Sequence, residues 1–424
     1  MNDQILDSVE APPRLLNGNF LLLLQARFVS VLGQEATRIA MLYLVMKVTG
    51  SATQMGIVAM LSAIPSILAA PIGGFLADRY NRKWIMIAND VARGLLLLVL
   101  PVLLWAHMPA VLVMSFIYLM AFTLAASGAI FMPSVNAITP QLVPMADLNR
   151  ANSLTQGSAA LTSLLGQGTG GVLYRVLGPA TLFFANAITY LASAVSIFFI
   201  KEPPRPPRNI AEGTVLAAFV ADTREGVAYC WRERGLRKIL MSALVINFFA
   251  APTTVLLPLL VDRTYALPAD WFGYFVAVTV LGSIFGMALT GIVPFDGPRR
   301  WIVSFCGFAL AGIGFLGVGF APPVYVTAAL FFLVGLGTSV VSVLVVSRLQ
   351  ASVPTDLLGR VMAAVNVLSS ATVPVAMLLG GVVTDALHQN VLPVFIASGV
   401  ASLCSVAWLV ADRDIRTYMS SRAP

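Results

Sequence analysis

The chain has 424 residues, of which 58% are hydrophobic and only 11% are charged, and its formal net charge is +7. A soluble domain carries about 25% charged residues. A soluble chain of this composition could not cover its surface, so lipid must be the solvent for most of it. The basic residues are scattered between long apolar runs, which argues against a nucleic-acid surface. Three isolated cysteines and two histidines argue against a disulfide framework and a metal site.

A membrane-spanning helix needs about 20 mostly apolar residues, and the sequence contains twelve such runs. They cover residues 19–46, 54–77, 84–106, 110–132, 152–175, 180–200, 237–261, 271–294, 301–320, 323–346, 359–384 and 391–411. The first run is too long for a secretory signal peptide and follows a polar stretch, so we expect it to be retained. The pattern predicts an all-α membrane protein.

The positions of Lys and Arg predict the orientation of these spans. With both termini in the cytoplasm, 20 of the 26 basic residues fall in cytoplasmic segments and three in outer loops. This asymmetry follows the positive-inside rule. We therefore predict a multi-pass protein of a bacterial cell (inner) membrane with cytoplasmic N and C termini.

A long polar stretch divides the spans into two sets of six. Residues 201–236 begin with the Pro-rich sequence KEPPRPPR and continue as an amphipathic helix. We predict an N-terminal six-helix bundle over 1–200, a cytoplasmic linker over 201–236 and a C-terminal six-helix bundle over 237–424.

The two predicted bundles share short sequence repeats. Val143, Pro144, Leu148 and Arg150 recur at an offset of 210 residues, and Gly74, Arg82 and Trp84 recur at an offset of 217. Paired halves of this kind are typical of secondary transporters.

The loop after the second span carries the most specific motif, Gly74-x-x-x-Asp78-Arg79-x-x-Arg82-Lys83. It resembles the signature loop of the major facilitator superfamily, with Asn81 in place of the usual second glycine. Asn tolerates positive φ. The resemblance implies the twelve-helix major facilitator fold and a contact of Asp78 with the start of the eleventh span, near Gly359 and Arg360, which holds the cytoplasmic side shut.

A narrower resemblance covers most of residues 19–385. The segments LGQEATRIAMLYLVMKVTGSA, FMPSVNAITPQLVPMADLNRANSL and GQGTGGVLY look like the branch that contains macrolide efflux pumps and the enterobactin exporter. The branch implies proton-coupled export of amphipathic small molecules. The antiporter motif of that family, G-P-x-x-G-G, appears over 166–171 without its proline, although its small residues remain.

Ionisable residues inside spans are functional candidates, because each costs ~3 kcal/mol at the membrane centre unless it is paired. In the first span, Arg27, Gln34 and Arg38 share one helical stripe flanked by Glu35, and we predict that the three line the substrate cavity. We predict Glu35 and, second, Asp90 as proton-coupling residues. A permanent Glu35–Arg38 ion pair is the alternative.

The predicted gate combines the loop motif with two arginines elsewhere. Its residues are Gly74, Asp78, Arg79, Arg82, Lys83, Arg93 and Arg360. Asp90 and Arg93 form an i,i+3 pair that suits this gate as well as the proton site.

We therefore predict a secondary active transporter that exports amphipathic small molecules, such as drugs, macrolides or siderophores, by alternating access. The proton gradient would drive it without any cofactor, and we expect a monomer whose partners are its substrate and the bilayer. A lysophospholipid flippase is the main alternative, a nutrient symporter is less favoured, and no catalytic motif favours an enzyme. The charge of the substrate stays open, since the arginines suit an anion and Glu35 suits a cation.

Overall fold

The computed structural model describes residues 15–201, 215–293, 295, 297–354 and 357–420. The Pro-rich part of the predicted linker, 202–210, lies outside these ranges. The described chain is helical, and its helices are α1 (Gly18–Thr49), α2 (Ala52–Arg79), α3 (Arg82–Trp105), α4 (Ala110–Leu142), α5 (Leu148–Phe198), α6 (Val215–Arg232), α7 (Arg234–Leu259), α8 (Asp270–Ile292), α9 (Pro298–Val318), α10 (Val324–Ser352), α11 (Leu358–Ser370), α12 (Val373–Ala386), α13 (Leu392–Ala411) and α14 (Arg413–Ser420).

Side-chain caps fix the starts of the first three helices. The side chains of Asn17, Ser51 and Asn81 each accept a hydrogen bond from the backbone N–H three residues later, which satisfies donors left free at a helix start. Asn81 has φ −66°. It therefore occupies the glycine position of the loop motif as an N-cap, and not because it adopts positive φ.

The twelve predicted spans are present, although two are joined and one is broken. Ten described helical segments are long and apolar enough to cross a membrane, and the first part of α2 is a shorter apolar helix. The α5 run counts once but holds two helices, because Gly178 leaves helical geometry with φ 73° and ψ 164°. Only glycine adopts that conformation readily, and this corner separates the fifth and sixth predicted spans.

Proline has opposite effects in two other helices. α4 continues through Pro133 and Pro140 to Leu142, beyond the predicted end at 132, since membrane helices tolerate proline. The eleventh span, expected to be continuous over 359–384, is broken between α11 and α12. Pro374 cannot donate a backbone hydrogen bond and crowds the preceding turn. Asn247 donates to the carbonyl oxygen of Ser369 at 2.9 Å and satisfies one acceptor at the break.

The helices before and after the linker pack mainly among themselves. In the first half α5 lies against α1 and α3, and α2 against α4; in the second half α10 lies against α8 and α9, and α13 against α7 and α9. The halves meet where α2 packs on α12 and where α5 packs on α8. The bundle boundaries at 201–236 remain a prediction.

The alternating direction of the helices gives the molecule two ends. We call the end that holds residue 15 and α14 the terminal face, and the other end the opposite face. On the terminal face, α6 packs against α11 around the fully buried Cys230 and Val361. Lys238 of α7 binds Asp412 and Asp414, each at 2.6 Å, and so ties α14 to α7.

Candidate substrate cavity and gates

Three neighbouring chambers, which share lining residues, lie along α1. The apolar chamber, about 450 Å³, lies between the halves and is lined by groups such as Leu42, Phe272 and Phe331. The middle chamber, about 220 Å³, shares Arg38 with it, and the inner chamber, about 520 Å³, shares Gln34 with the middle one. All three have a wall on the first half, and the inner chamber lies toward the terminal face.

The predicted pair Glu35 and Arg38 lies where the apolar and middle chambers join. Arg38 Nη2 is 3.3 Å from Glu35 Oε2, and the side chains are 57% and 16% exposed respectively. Arg38 therefore faces the cavity, while Glu35 lies behind it against α5. The geometry agrees with an ion pair in this state, which is the alternative left open by the sequence, and it gives Glu35 a route to the cavity through Arg38.

Glycines of α5 connect this pair to the second half. A Cβ at Gly166 would lie 2.7 Å from Glu35 Cβ, so only glycine permits this approach of α1 and α5. On the other side of the same helix, a Cβ at Gly171 would collide with the carbonyl oxygen of Ala269, just before α8. The stretch 166–171 thus keeps the small-residue packing of the antiporter motif without its proline.

Asp90 and Arg93 lie in a polar network inside the first half. Asp90 is fully buried and accepts a 2.6 Å hydrogen bond from Ser193 Oγ, and its Oδ1 lies 3.8 Å from Arg93 Nη1. Arg93 also donates to Ser127 Oγ at 2.9 Å and stacks over the ring of Tyr190. Arg93 thus lies on the cavity wall, and its predicted gating role stays a prediction.

Arg27 and Gln34 extend the polar wall of α1 along the cavity. Gln34 Oε1 accepts a hydrogen bond from Tyr190 Oη at 3.0 Å and lines two chambers. Arg27 lines the inner chamber, where its described contact is the sulfur of Met132 at 3.8 Å. The structure therefore places all three predicted cavity residues, Arg27, Gln34 and Arg38, on the cavity wall.

At the opposite face the halves are joined by a cap that the sequence did not indicate. Asp385, at the end of α12, accepts hydrogen bonds from Ser51 Oγ at 2.6 Å and from the backbone N–H groups of Ala52 and Thr53, each at 2.8 Å. These are the first donors of α2, and a carboxylate is favourable at a helix N-terminus. Gln389 adds a bond to the carbonyl oxygen of Gly50.

Aromatic packing and an ion pair complete this closure. Tyr43 stacks on Tyr174 at 5.3 Å and meets Phe272 edge-on at 6.1 Å, and all three are buried. Arg175 Nη2 lies 2.8 Å from Asp270 Oδ2. Between described residues, the hydrogen bonds and ion pair that join α1–α5 to α7–α13 lie at the opposite face. The cavity is therefore closed at that end.

The predicted gate motif lies at the terminal face. Arg82 is buried and donates to the carbonyl oxygens of Ala77 at 3.2 Å and Ala137 at 2.7 Å. Lys83 donates to the carbonyl oxygen of Ile200 at 2.8 Å, and exposed Arg79 stacks over Phe75. These contacts tie the loop to the first half. The side chains of two motif residues, Gly74 and Asp78, lie outside the described residues.

The same local bond recurs in the second half. Arg300 donates to the carbonyl oxygen of Phe295 at 3.2 Å, five residues earlier, as Arg82 does to Ala77. The structural counterpart of Arg82 is therefore Arg300, one position beyond the Arg299 that the sequence offset matched.

Arg360 contacts the linker helix, a partner that the sequence did not indicate. Its Nη1 lies 2.5 Å from Glu225 Oε2 of α6, and a Cβ at Gly226 would collide with the carbonyl oxygen of Arg360. The expected contact of Asp78 near Gly359 and Arg360 falls on a side chain outside the described residues. The start of α11 thus contacts α6 through Glu225 and Gly226.

Sequence reasoning missed Asp385, Tyr190 and Glu225. The signal for Asp385 was available: it is an acidic residue one position before the end of α12, in an apolar helix. Tyr190 gave no signal, because a tyrosine in an apolar run does not show which polar group it faces. The partner of Glu225 depends on how α6 folds back on α11.

Comparison with known proteins agrees with this architecture. Residues 23–371 match the family model described as Major Facilitator Superfamily. The chain is 25% identical over 395 residues to "Multidrug efflux pump Tap" of Mycobacterium tuberculosis, covering 92% of both chains. It is 22% identical over 385 residues to "Macrolide efflux protein A" of Streptococcus pyogenes, covering 89% of this chain and 91% of that one.

Solved structures share the fold. A crystal structure of the nucleoside transporter NupG aligns with a TM-score of 0.73 at 9% identity, covering 92% of this chain and 99% of that one. Such low identity shows the fold alone. Since the family model spans most of the sequence and the helices adopt this architecture, the chain belongs to the Major Facilitator Superfamily of membrane transporters.

Proposed function

We propose that the protein is a proton-driven exporter that works by alternating access in a bacterial inner membrane, with the terminal face in the cytoplasm. The efflux relatives and the positive-inside distribution of Lys and Arg support this direction and orientation. Closure at the opposite face, together with a polar inner chamber toward the terminal face, then corresponds to an inward-facing state.

The single observation that carries the proposal is the position of Glu35. It lies beside the cavity, is paired with Arg38 at 3.3 Å, and packs against Gly166 of α5, the helix whose Gly171 meets the second half. A proton on Glu35 removes the charge that holds Arg38, so protonation changes the net charge that α1 presents to the cavity. Asp90 is the second candidate, but it is fully buried and reaches the cavity only past Arg93.

In this proposal the closed end opens when the contacts between the halves at the opposite face separate. Asp385 leaves the N-terminus of α2, and the aromatic contact of Tyr43 with Phe272 parts. The gate motif then closes the terminal face, with Asp78 and Arg360 as the predicted contact. Interfaces between packed helices favour two discrete arrangements of this kind.

The test is coupled flux in proteoliposomes that contain an interior pH dye. We expect an imposed inward proton gradient to drive a labelled amphiphile out of the vesicles while protons enter the lumen. Glu35→Gln is expected to abolish both movements, and Asp90→Asn to reduce them. Asp147→Asn, at a half-buried carboxylate paired with Arg150 outside the cavity, is the matched control. Undiminished proton-coupled flux in the Glu35→Gln/Asp90→Asn double variant would remove both candidates.

A second candidate function, translocation of a lysolipid, is favoured by the apolar chamber. Its described lining contains a single ionisable residue, Arg38, and is otherwise mostly aliphatic and aromatic. A lipid chain fits this lining as well as a drug does. Flux of a labelled lysolipid in the same vesicles separates the two functions.

A further inference from the structure

The inner chamber presents positive charge without a facing carboxylate. Among its described lining residues the charged groups are Arg27 and Arg93. Arg93 has Asp90 as a partner, but Asp90 is 0% exposed and lies behind it. Arg27 makes no described ion pair. Two guanidinium groups therefore face the chamber, and the carboxylate that offsets one of them is hidden from a ligand.

The other cavity arginine does not add to this charge. Arg38 is neutralised by Glu35 at 3.3 Å. The second half contributes no described charged residue to the three chambers. The uncompensated positive charge of the cavity is thus located in the inner chamber, at Arg27.

The polar neighbours of Arg27 suit an anion as well. Gln34 and Asn136 line the same chamber, and their amide groups can donate hydrogen bonds. Guanidinium groups bind phosphate, sulfonate and carboxylate oxygens with strong charge-assisted bonds. The chamber therefore matches the chemistry of a small anionic group.

The apolar chamber lies farther along the same path. Arg27 and Arg38 are separated by eleven positions of α1, which is roughly 16 Å along a helix. A molecule that reaches from the inner chamber to the apolar chamber places a charged end at Arg27 and an apolar body against Leu42, Phe272 and Phe331.

We propose that the transported molecule is an amphiphile with a single negative charge, a phosphate diester, sulfonate or carboxylate, that binds at Arg27 and Arg93 while its apolar part occupies the chamber between the halves. The inference names a substrate class for the proposed exporter and rests on that function for its transport consequences. Its binding consequences stand apart from transport.

The class of substrate has an electrical consequence. Outward movement of one monoanion in exchange for one inward proton carries two positive charges inward, whereas exchange of a monovalent cation for a proton carries none. Export of an anionic amphiphile is therefore accelerated by an inside-negative membrane potential, which acts on each charge moved.

The binding test uses the full chain purified in a non-ionic detergent and four probes. Lysophosphatidylglycerol carries the anion on a lipid headgroup and deoxycholate carries it on a free amphiphile, while zwitterionic lysophosphatidylcholine and cationic dodecyltrimethylammonium are the comparison. We expect thermal stabilisation by at least one anionic probe and weaker stabilisation by the other two. Which anionic probe binds identifies the source.

Variants at Arg27 make the result specific. Arg27→Gln is expected to weaken anion binding roughly tenfold to a hundredfold, the factor that a hydrogen bond to a charged group contributes, while Arg27→Lys keeps most of it. Arg150→Gln, at an exposed arginine in the first turn of α5, is the matched control. Equal binding of all four probes, or anion binding unchanged in folded Arg27→Gln, overturns the inference.

Flux measurements separate this inference from the proposed function. If anions bind through Arg27 but no probe is transported, the export function is wrong and the anion site stands. If cationic amphiphiles are exported without charge movement and anions do not bind, the export function stands and the inference is wrong.

Discussion

Removal of the Asp385 carboxylate should open the opposite face. In the closed state this group accepts three hydrogen bonds from the start of α2, from Ser51, Ala52 and Thr53, at 2.6 to 2.8 Å. When the halves separate, water solvates both the carboxylate and the freed N–H groups. The bonds therefore contribute only their net value to closure.

That net value can be worked out from the contacts. A typical hydrogen bond contributes about 0.5–1.5 kcal/mol, and the lower part of the range applies because Asp385 is only half-buried. Three bonds then give about 2 kcal/mol. Asp385→Ala should shift the ratio of closed to open molecules about thirtyfold. Asp385→Asn keeps one acceptor oxygen, so its shift should be about fivefold, near 1 kcal/mol.

The measurement is a distance distribution between spin labels on the two halves at the opposite face. Val111 and Phe320, 79% and 72% exposed, are suitable positions after the three native cysteines are replaced. Asp385→Ala should transfer population from the short to the long distance, and Asp385→Asn should transfer less.

Asp412→Asn is the matched control, because Asp412 also accepts backbone N–H bonds, from Asp414 and Ile415, but within one half. Unchanged distances in a folded Asp385→Ala protein would refute the role of this cap in closure.

Two further predictions concern packing and pH. Gly171→Val should lower transport severalfold with little loss of expression, because the added atoms collide with the Ala269 carbonyl oxygen at the opposite face. Gly157→Val should leave transport unchanged, because Gly157 of the same helix faces open space. The Lys238 hydrogen bond lowers the pKa of Asp412 from its ordinary value of 3.8. The ionised carboxylate therefore stabilises the fold above pH 3.8, and this gain is lost as the pH falls through the lowered pKa. The difference in melting temperature between wild type and Asp412→Asn should shrink on acidification. Equal transport by the two glycine variants would contradict the packing prediction. A melting-temperature difference that grows in acid would contradict the pH prediction.

The sequence alone determined the membrane class, the spans and the three α1 residues, Arg27, Gln34 and Arg38, that line the first-half cavity. Long apolar runs identify membrane-spanning helices in the sequence, because each helix satisfies its own backbone hydrogen bonds in lipid. Charges inside such runs are costly, so Arg27, Glu35 and Arg38 were conspicuous, and helical periodicity placed Arg27 and Arg38 on one stripe.

The tertiary structure decided which charges are paired and where the halves close. Asp385 and α2 are more than 300 residues apart in sequence, and no local pattern shows that one caps the other. The pairing of Glu35 with Arg38 was left open by sequence because an i,i+3 spacing permits contact without requiring it. Only the packed bundle shows that Arg38 is neutralised while Arg27 faces the cavity without a described acidic partner, since contacts between distant helices set the electrostatics of the site.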